Sequence, residues 1–416
     1  MHDLTILAII WVGVFIASFM AHRTRLTPVL WFLFWGAVLV NVGVLPHELP
    51  PFIEVFAELG IIIIMFALGF EEDTHNFLKS VKRSWGIAFF GALAPFCIAY
   101  GAAWYFWNDA NIALFVGLAM TATAVSLTMV SLKSEGLSTT PAATGIMTSA
   151  VLDDIASLAL VAILVPIAVG GATVSVAGVG LIVGKAIAFF LVVTFMGAWL
   201  FPSNYGMLKN IPFIGRFGLQ QILSMGRGEY TVLSLLLIAV LVGLLAHQFG
   251  FHPAIGAYMA GLIIRREYFD IHPDQKVDFH AQAREIIDNV AFSWIGPVFF
   301  VTLGSKLIFD ADMFLSVLPN VLLLFVGIFV GQVLSASLAA RFTGGFDWAS
   351  SWMIGFGMLG RAELAFVVLN IAYVQHAILS EQAFYTLMLA MFLLNISVPL
   401  AIRWYKPYFE RGTKQE

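Results

Sequence analysis

The sequence predicts an all-α polytopic membrane protein with about thirteen transmembrane helices, each needing about 20 apolar residues. Three observations carry this. Of 416 residues, 60% are hydrophobic and 11% charged, with a mean hydropathy of +0.93, against about 25% charged in soluble domains. A soluble fold is thereby excluded. Apolar runs of spanning length follow one another along the whole chain. Finally, 18 of the 21 Lys and Arg residues follow odd-numbered runs, leaving out only Lys185, Lys306 and Arg361. An odd number of spans with the N-terminus outside and the C-terminus cytoplasmic satisfies the positive-inside rule.

The first span, 4–21, has no Lys or Arg before it and meets His22 and Arg23 directly after, so it is not a cleavable signal. Spans two (27–45) and three (52–70) open near Thr27-Pro28 and Pro50-Pro51, and the basic residues Lys79, Lys82 and Arg83 separate them from span four (84–106). Span five (110–131) carries Thr121, Thr123, Ser126 and Thr128 in an otherwise apolar run; span six (142–170) follows Pro141. Spans seven (174–200) and eight (229–247) flank a loop at 201–228, and span nine (253–264) opens at Pro253. The loop at 265–287 has mixed charge and suggests a helix on the inner surface. Spans ten (288–306), eleven (313–340), twelve (349–374) and thirteen (384–403) complete the set. Cys97 is the sole cysteine, so no disulfide framework exists.

A repeat is visible. Pro28 to Gly36 and Pro253 to Gly261 share one spacing, and Gly60-IIIIMFAL-Gly69 resembles Gly296-PVFFVTL-Gly304. Spans two and nine start on opposite sides of the membrane, so the repeat is inverted, a hallmark of secondary transporters that bind substrate where broken helices meet.

The chemistry concentrates at Asp153 and Asp154, adjacent within span six. A charged carboxylate near the midplane costs about 2.5–3.5 kcal/mol even on lenient scales, so the pair reads as a cation or proton site. The hydroxyls of span five can divert backbone hydrogen bonds and leave carbonyl oxygens for a hard cation, Thr123 and Ser126 being the candidates; for Thr121 and Thr128 interhelical packing is the simpler reading. Arg361 and Glu363 in span twelve are two apart and so do not face each other on a helix. With Gly355, Gly357 and Gly360 before them, they mark an interruption. GFGMLG is not a dinucleotide fingerprint, because no strand or soluble βαβ unit surrounds it.

These residues resemble the monovalent cation:proton antiporter-2 family, in its bacterial sodium/proton antiporter branch. The likeness rests on SAVLDDIASL, TATAVS, PVFFVTLG and GRAELAFVV and covers nearly the whole chain. It implies an inverted repeat with two crossing broken helices, and exchange of Na⁺ or Li⁺ for H⁺ by alternating access. Asp154 is the shared carrier, accompanied by Asp153, so these two carboxylates hold the transported Na⁺. It implies a moving core (84–170 and 313–403), scaffold and dimer helices (1–70 and 229–306), a linker (174–200) and a short cytoplasmic tail (404–416). The expected partners are monovalent cations, protons, the lipid bilayer of the inner membrane and a second copy in a homodimer. No cofactor, enzymatic activity, nucleic acid or attached nucleotide-binding regulatory domain is expected. One departure stands out. Where electrogenic members carry a lysine in span eleven, this chain reads VGQVLSAS, with the non-ionisable Gln332. Asp153 is then expected to lack a cationic neighbour, which leaves stoichiometry open. Potassium/proton exchange, a cation channel and a transport-inactive sensor remain as alternatives.

Overall fold

The structure, a computed structural model, describes residues 2–24, 26–71, 74–169, 230–264, 266–269, 278–308 and 310–412, with short stretches between 184 and 223. At some helical positions, including Ser126, Asp154 and Glu363, the side chain lies outside the described residues. Span seven and the loop at 201–228 lie almost wholly outside them, as does most of 265–277.

Apolar surroundings leave backbone groups no water to bond, so the chain closes its hydrogen bonds within helices. The first four are α1 (His2–Thr24), α2 (Pro28–Asn41), α3 (Pro51–Glu71) and α4 (Thr74–Trp107). Helix α4 begins ten residues before the expected 84, so Lys79, Lys82 and Arg83 lie on helix rather than in a loop. Hydropathy marks only the lipid-buried part, and a helix is free to continue into water. Next come α5 (Ala110–Ala119), α6 (Val125–Ser134), α7 (Pro141–Val169), α8 (Thr231–Gln248) and α9 (Pro253–Ile263). The last are α10 (Phe279–Asn289), α11 (Gly296–Gly304), α12 (Ala311–Phe342), α13 (Trp348–Gly357), α14 (Glu363–Asn370) and α15 (Glu381–Gly412). Among the described residues, seven helices are long and apolar enough to cross a membrane.

A π-helical turn, Val290–Trp294, joins α10 to α11 into one helical run, Phe279–Gly304. The helix expected on the inner surface near 265–287 is thus the start of span ten. Asp278 caps it: its carboxyl is held below the usual range chiefly by the Ala281 N–H, with Arg266 at 2.6 Å adding attraction.

Helices α2 and α9, of 14 and 11 residues, rise about 21 and 16 Å at 1.5 Å per residue, short of a bilayer of about 30 Å. Both start with proline in the first turn after an extended residue, Thr27 (φ −64°, ψ 142°) and His252 (φ −64°, ψ 135°), as the sterics before proline require. This shared entry geometry matches the repeat seen in the sequence.

The chain divides into two units. Residues 1–15, 43–74 and 172–305 form one; residues 16–42, 75–171 and 306–416 form the other. In the first, α3 packs against α9 and α11. A side chain at Gly69 would strike the Tyr258 carbonyl, and one at Gly261 would strike Phe66 and Phe70 backbone atoms, so glycine permits the close crossing common between membrane helices. In the second unit, α7 and α15 flank two interrupted pairs, α5–α6 and α13–α14, with α12 packed on α13 and α15.

Candidate functional site

Both interruptions have local causes. At the end of α5, Thr121 Oγ1 donates to the Leu118 carbonyl at 2.7 Å, and threonine hydroxyls that bond the preceding turn weaken a helix. At the end of α13 the chain passes through Gly355, Gly357 and Gly360, each favouring helix less than alanine. The interruption expected around Arg361 is thus present, at 358–362.

The extended stretches meet as an antiparallel bridge between Thr123 and Arg361. Its backbone bonds are Ala124 N–H to Gly360 O, 3.0 Å, and Ala362 N–H to Ala122 O, 3.3 Å. Thr128 adds a third tie, donating to the Gly357 carbonyl at 2.6 Å and so satisfying an orphaned acceptor at the C-terminus of α13. Thr128 is therefore a cross-helix tie, in line with the packing reading.

Helix α7 lays polar residues one turn apart against this crossing. Asp153, fully buried, accepts the Thr123 hydroxyl on Oδ2 at 2.7 Å. Ser157, one turn on, donates to Thr121 Oγ1 at 3.0 Å. Asp153 Oδ1 has no hydrogen-bonding partner among the described residues. Asp154 follows on the same helix, about 100° further round.

On the other side, Arg361 is only 2% exposed. Its Nη2 donates to Gln332 Oε1 at 3.2 Å, and Nε and Nη1 have no partner among the described residues. Among the described residues no ion pair joins Arg361 to Asp153, and the guanidinium acts on the carboxylate only through its field. The expectation that Asp153 lacks a cationic neighbour is thereby corrected to a positive charge held at a distance. The position on span eleven is indeed neutral, but Gln332 holds an arginine delivered by the second interruption. Sequence alone does not show that residues 29 apart on two helices meet.

The structure thus brings together Thr123, Asp153, Gln332 and Arg361. Ser126 lies in the first turn of α6 and Glu363 is the first residue of α14; their side chains, like that of Asp154, lie outside the described residues. Sequence reasoning missed Asn395 on α15. It accepts the Arg361 N–H at 2.6 Å and donates to the Arg361 carbonyl at 3.3 Å. The available signal was register: Asn395 lies 34 residues beyond Arg361, much as Asp153 lies 30 beyond Thr123.

Known proteins match this chain in sequence and fold. The chain is 25% identical to a Na⁺/H⁺ antiporter of Enterococcus hirae, over 97% of this chain and 98% of that one. It is 26% identical to the probable Na⁺/H⁺ antiporter GerT of Bacillus cereus, over 76% of each. Its fold matches that of the sodium/proton antiporter MjNhaP1 of Methanocaldococcus jannaschii with a TM-score of 0.67 at 14% identity, covering 97% and 99% of the two chains. The sodium/hydrogen exchanger transmembrane family profile spans residues 10–405. With its interrupted helices crossing beside a buried carboxylate, the chain therefore belongs to the sodium/hydrogen exchanger family and is a multi-pass membrane antiporter of monovalent cations and protons.

Proposed function

We propose that the chain belongs to the antiporter-2 branch and exchanges Na⁺, with Li⁺ also accepted, for H⁺. Asp154 is the shared carrier, and Asp153, Thr123 and Ser126 complete the oxygen-rich surroundings. The observation that carries this reading is the buried Asp153 carboxylate, which accepts the Thr123 hydroxyl at the crossing and has one oxygen without a partner among the described residues. A hard monovalent cation suits carboxylate, hydroxyl and carbonyl oxygens. Proton and cation compete for one carboxylate, since each is favoured by the charge the other removes. If the protein changes its open side only when the carboxylate is neutralised, a proton gradient drives cation export. Residues 84–170 and 313–403 are the moving core, 1–70 and 229–306 the scaffold of a homodimer in the inner membrane, and 174–200 the linker. Gln332, Arg361 and Glu363 are supporting polar groups of the core.

Proteoliposomes given Na⁺, Li⁺ and K⁺ separately test the ion assignment. Proton movement is expected with Na⁺ and Li⁺; a response to K⁺ alone overturns it. The potassium reading keeps a place because a 25% identical relative in Bacillus cereus is a Na⁺/H⁺-K⁺ antiporter.

Stoichiometry follows from the charges around the site. Arginine keeps its charge at physiological pH and Gln332 has none to lose, so the titrating groups are carboxylates, those of Asp153 and Asp154 with Glu363 as a secondary candidate. Gln332→Lys adds an ionisable ammonium able to release a proton when a cation arrives. The exchange rate of that variant is expected to respond to a clamped membrane potential. One net charge across 100 mV is worth about 2.3 kcal/mol, or roughly 50-fold in an equilibrium. An unchanged voltage response would remove the role assigned to a neutral residue 332.

A further inference from the structure

The bridge at the crossing is the wide kind of antiparallel pair: its two hydrogen bonds flank Thr123 and Arg361, so their own N–H and C=O groups turn outward. At membrane depth outward backbone groups still need partners. On the Thr123 edge the neighbouring acceptor is Asp153, which takes the Thr123 hydroxyl. On the Arg361 edge it is Asn395, whose amide closes a two-point clamp on the Arg361 N–H and carbonyl. Each partner comes from the helix that follows the interrupted pair of its own half, α7 and α15.

We propose that Asn395 is the second-half counterpart of Asp153, a positioning residue that holds Arg361 from behind so that its guanidinium stays available to Gln332 and Asp153. The residue type follows from chemistry. Arg361 offers a donor and an acceptor on that edge, and an amide answers both, whereas a carboxylate only accepts. A carboxylate at 395 also adds a buried negative charge against the backbone of residue 361, where it shares with Asp153 the field of the guanidinium. The space between Thr27, Val29, Arg361 and Asn395 is about 10 Å³, room for at most one water and bordered by a positive charge. This half is therefore a mechanical copy of the Asp153 grip and not a second cation site.

The transport consequences rest on the exchanger reading above; the stability consequences do not. The test uses the full chain with Asn395→Asp, Asp153→Asn and the double exchange Asp153→Asn/Asn395→Asp. It measures melting temperature in detergent, and apparent KM for Na⁺ and maximal rate in proteoliposomes. Asn395→Asp draws Arg361 away from Asp153 and leaves more uncompensated negative charge at the cation site. Apparent KM for Na⁺ is expected to fall about tenfold, within the coupling range of contacting groups; a residue that merely fastens α15 leaves KM unchanged. Asp153→Asn strips Arg361 of its carboxylate and lowers the melting temperature, and Asn395→Asp placed on top restores at least about half of that loss. A double variant that melts no higher than Asp153→Asn, or an Asn395→Asp protein with wild-type KM, overturns the proposal. Should Asn395→Asp alone fail to fold, the melting temperatures of the other two decide.

Discussion

Asp154→Asn is expected to abolish Na⁺-induced proton movement in proteoliposomes while the protein still folds and inserts. Asparagine keeps the size and hydrogen-bonding capacity of the side chain but neither takes up a proton nor carries a charge. Attraction between a cation and a carboxylate at about 4 Å, with an effective dielectric near 20, is worth about 4 kcal/mol, or roughly three decades of affinity. The variant therefore loses both ligands whose competition drives exchange. Cation-induced proton movement should drop into the background of empty liposomes for Na⁺ and Li⁺ alike. Retention of substantial exchange would refute the carrier assignment and transfer it to Asp153, whose hydrogen bond from the Thr123 hydroxyl ties it to the crossing. Comparison with Asp153→Asn separates the two: removal of the carrier leaves no exchange at any pH, whereas removal of its neighbour changes affinity and stability.

Much of this was legible in the sequence because lipid imposes long apolar runs and makes each interruption conspicuous. The hydroxyls of 121–128 and the glycines of 355–360 stand out against that background, and both interruptions lie there. Asp153 is conspicuous for the same reason, since a carboxylate in an apolar run demands an explanation. Asn395 is not: an amide in a membrane helix is cheap enough to be unremarkable, and only its register relative to Arg361 singles it out. Pairings across helices were hidden because hydropathy is one-dimensional. Gln332 looked like a lost charge when read alone, and the arginine it holds lies on another helix. The water-side extension of α4 was invisible for a related reason: its Lys and Arg residues look like loop by composition, although helix remains available to them.

Arg361→Met is expected to destabilise the protein by about 1–3 kcal/mol, the cost of leaving a buried acceptor without its donor. Methionine fills comparable length with flexible apolar atoms, so packing is largely kept and charge is what changes. Asp153 stays fully buried with its attracting guanidinium gone. Gln332 Oε1 loses its donor, joining Nε2, which already has no partner among the described residues. The clamp on Asn395 survives, because it uses the backbone of residue 361. The loss should appear as a lower melting temperature in detergent. The decisive comparison is Arg361→Met/Asp153→Asn. Two neutral groups in place of two opposite buried charges often cost little, so the double variant should melt well above Arg361→Met and close to the wild type. Strictly additive losses in the two single variants would show that the two charges do not speak to each other. Arg361→Lys falls between, since a lysine restores the charge as a point but not the planar fork that reaches Gln332 while facing Asp153.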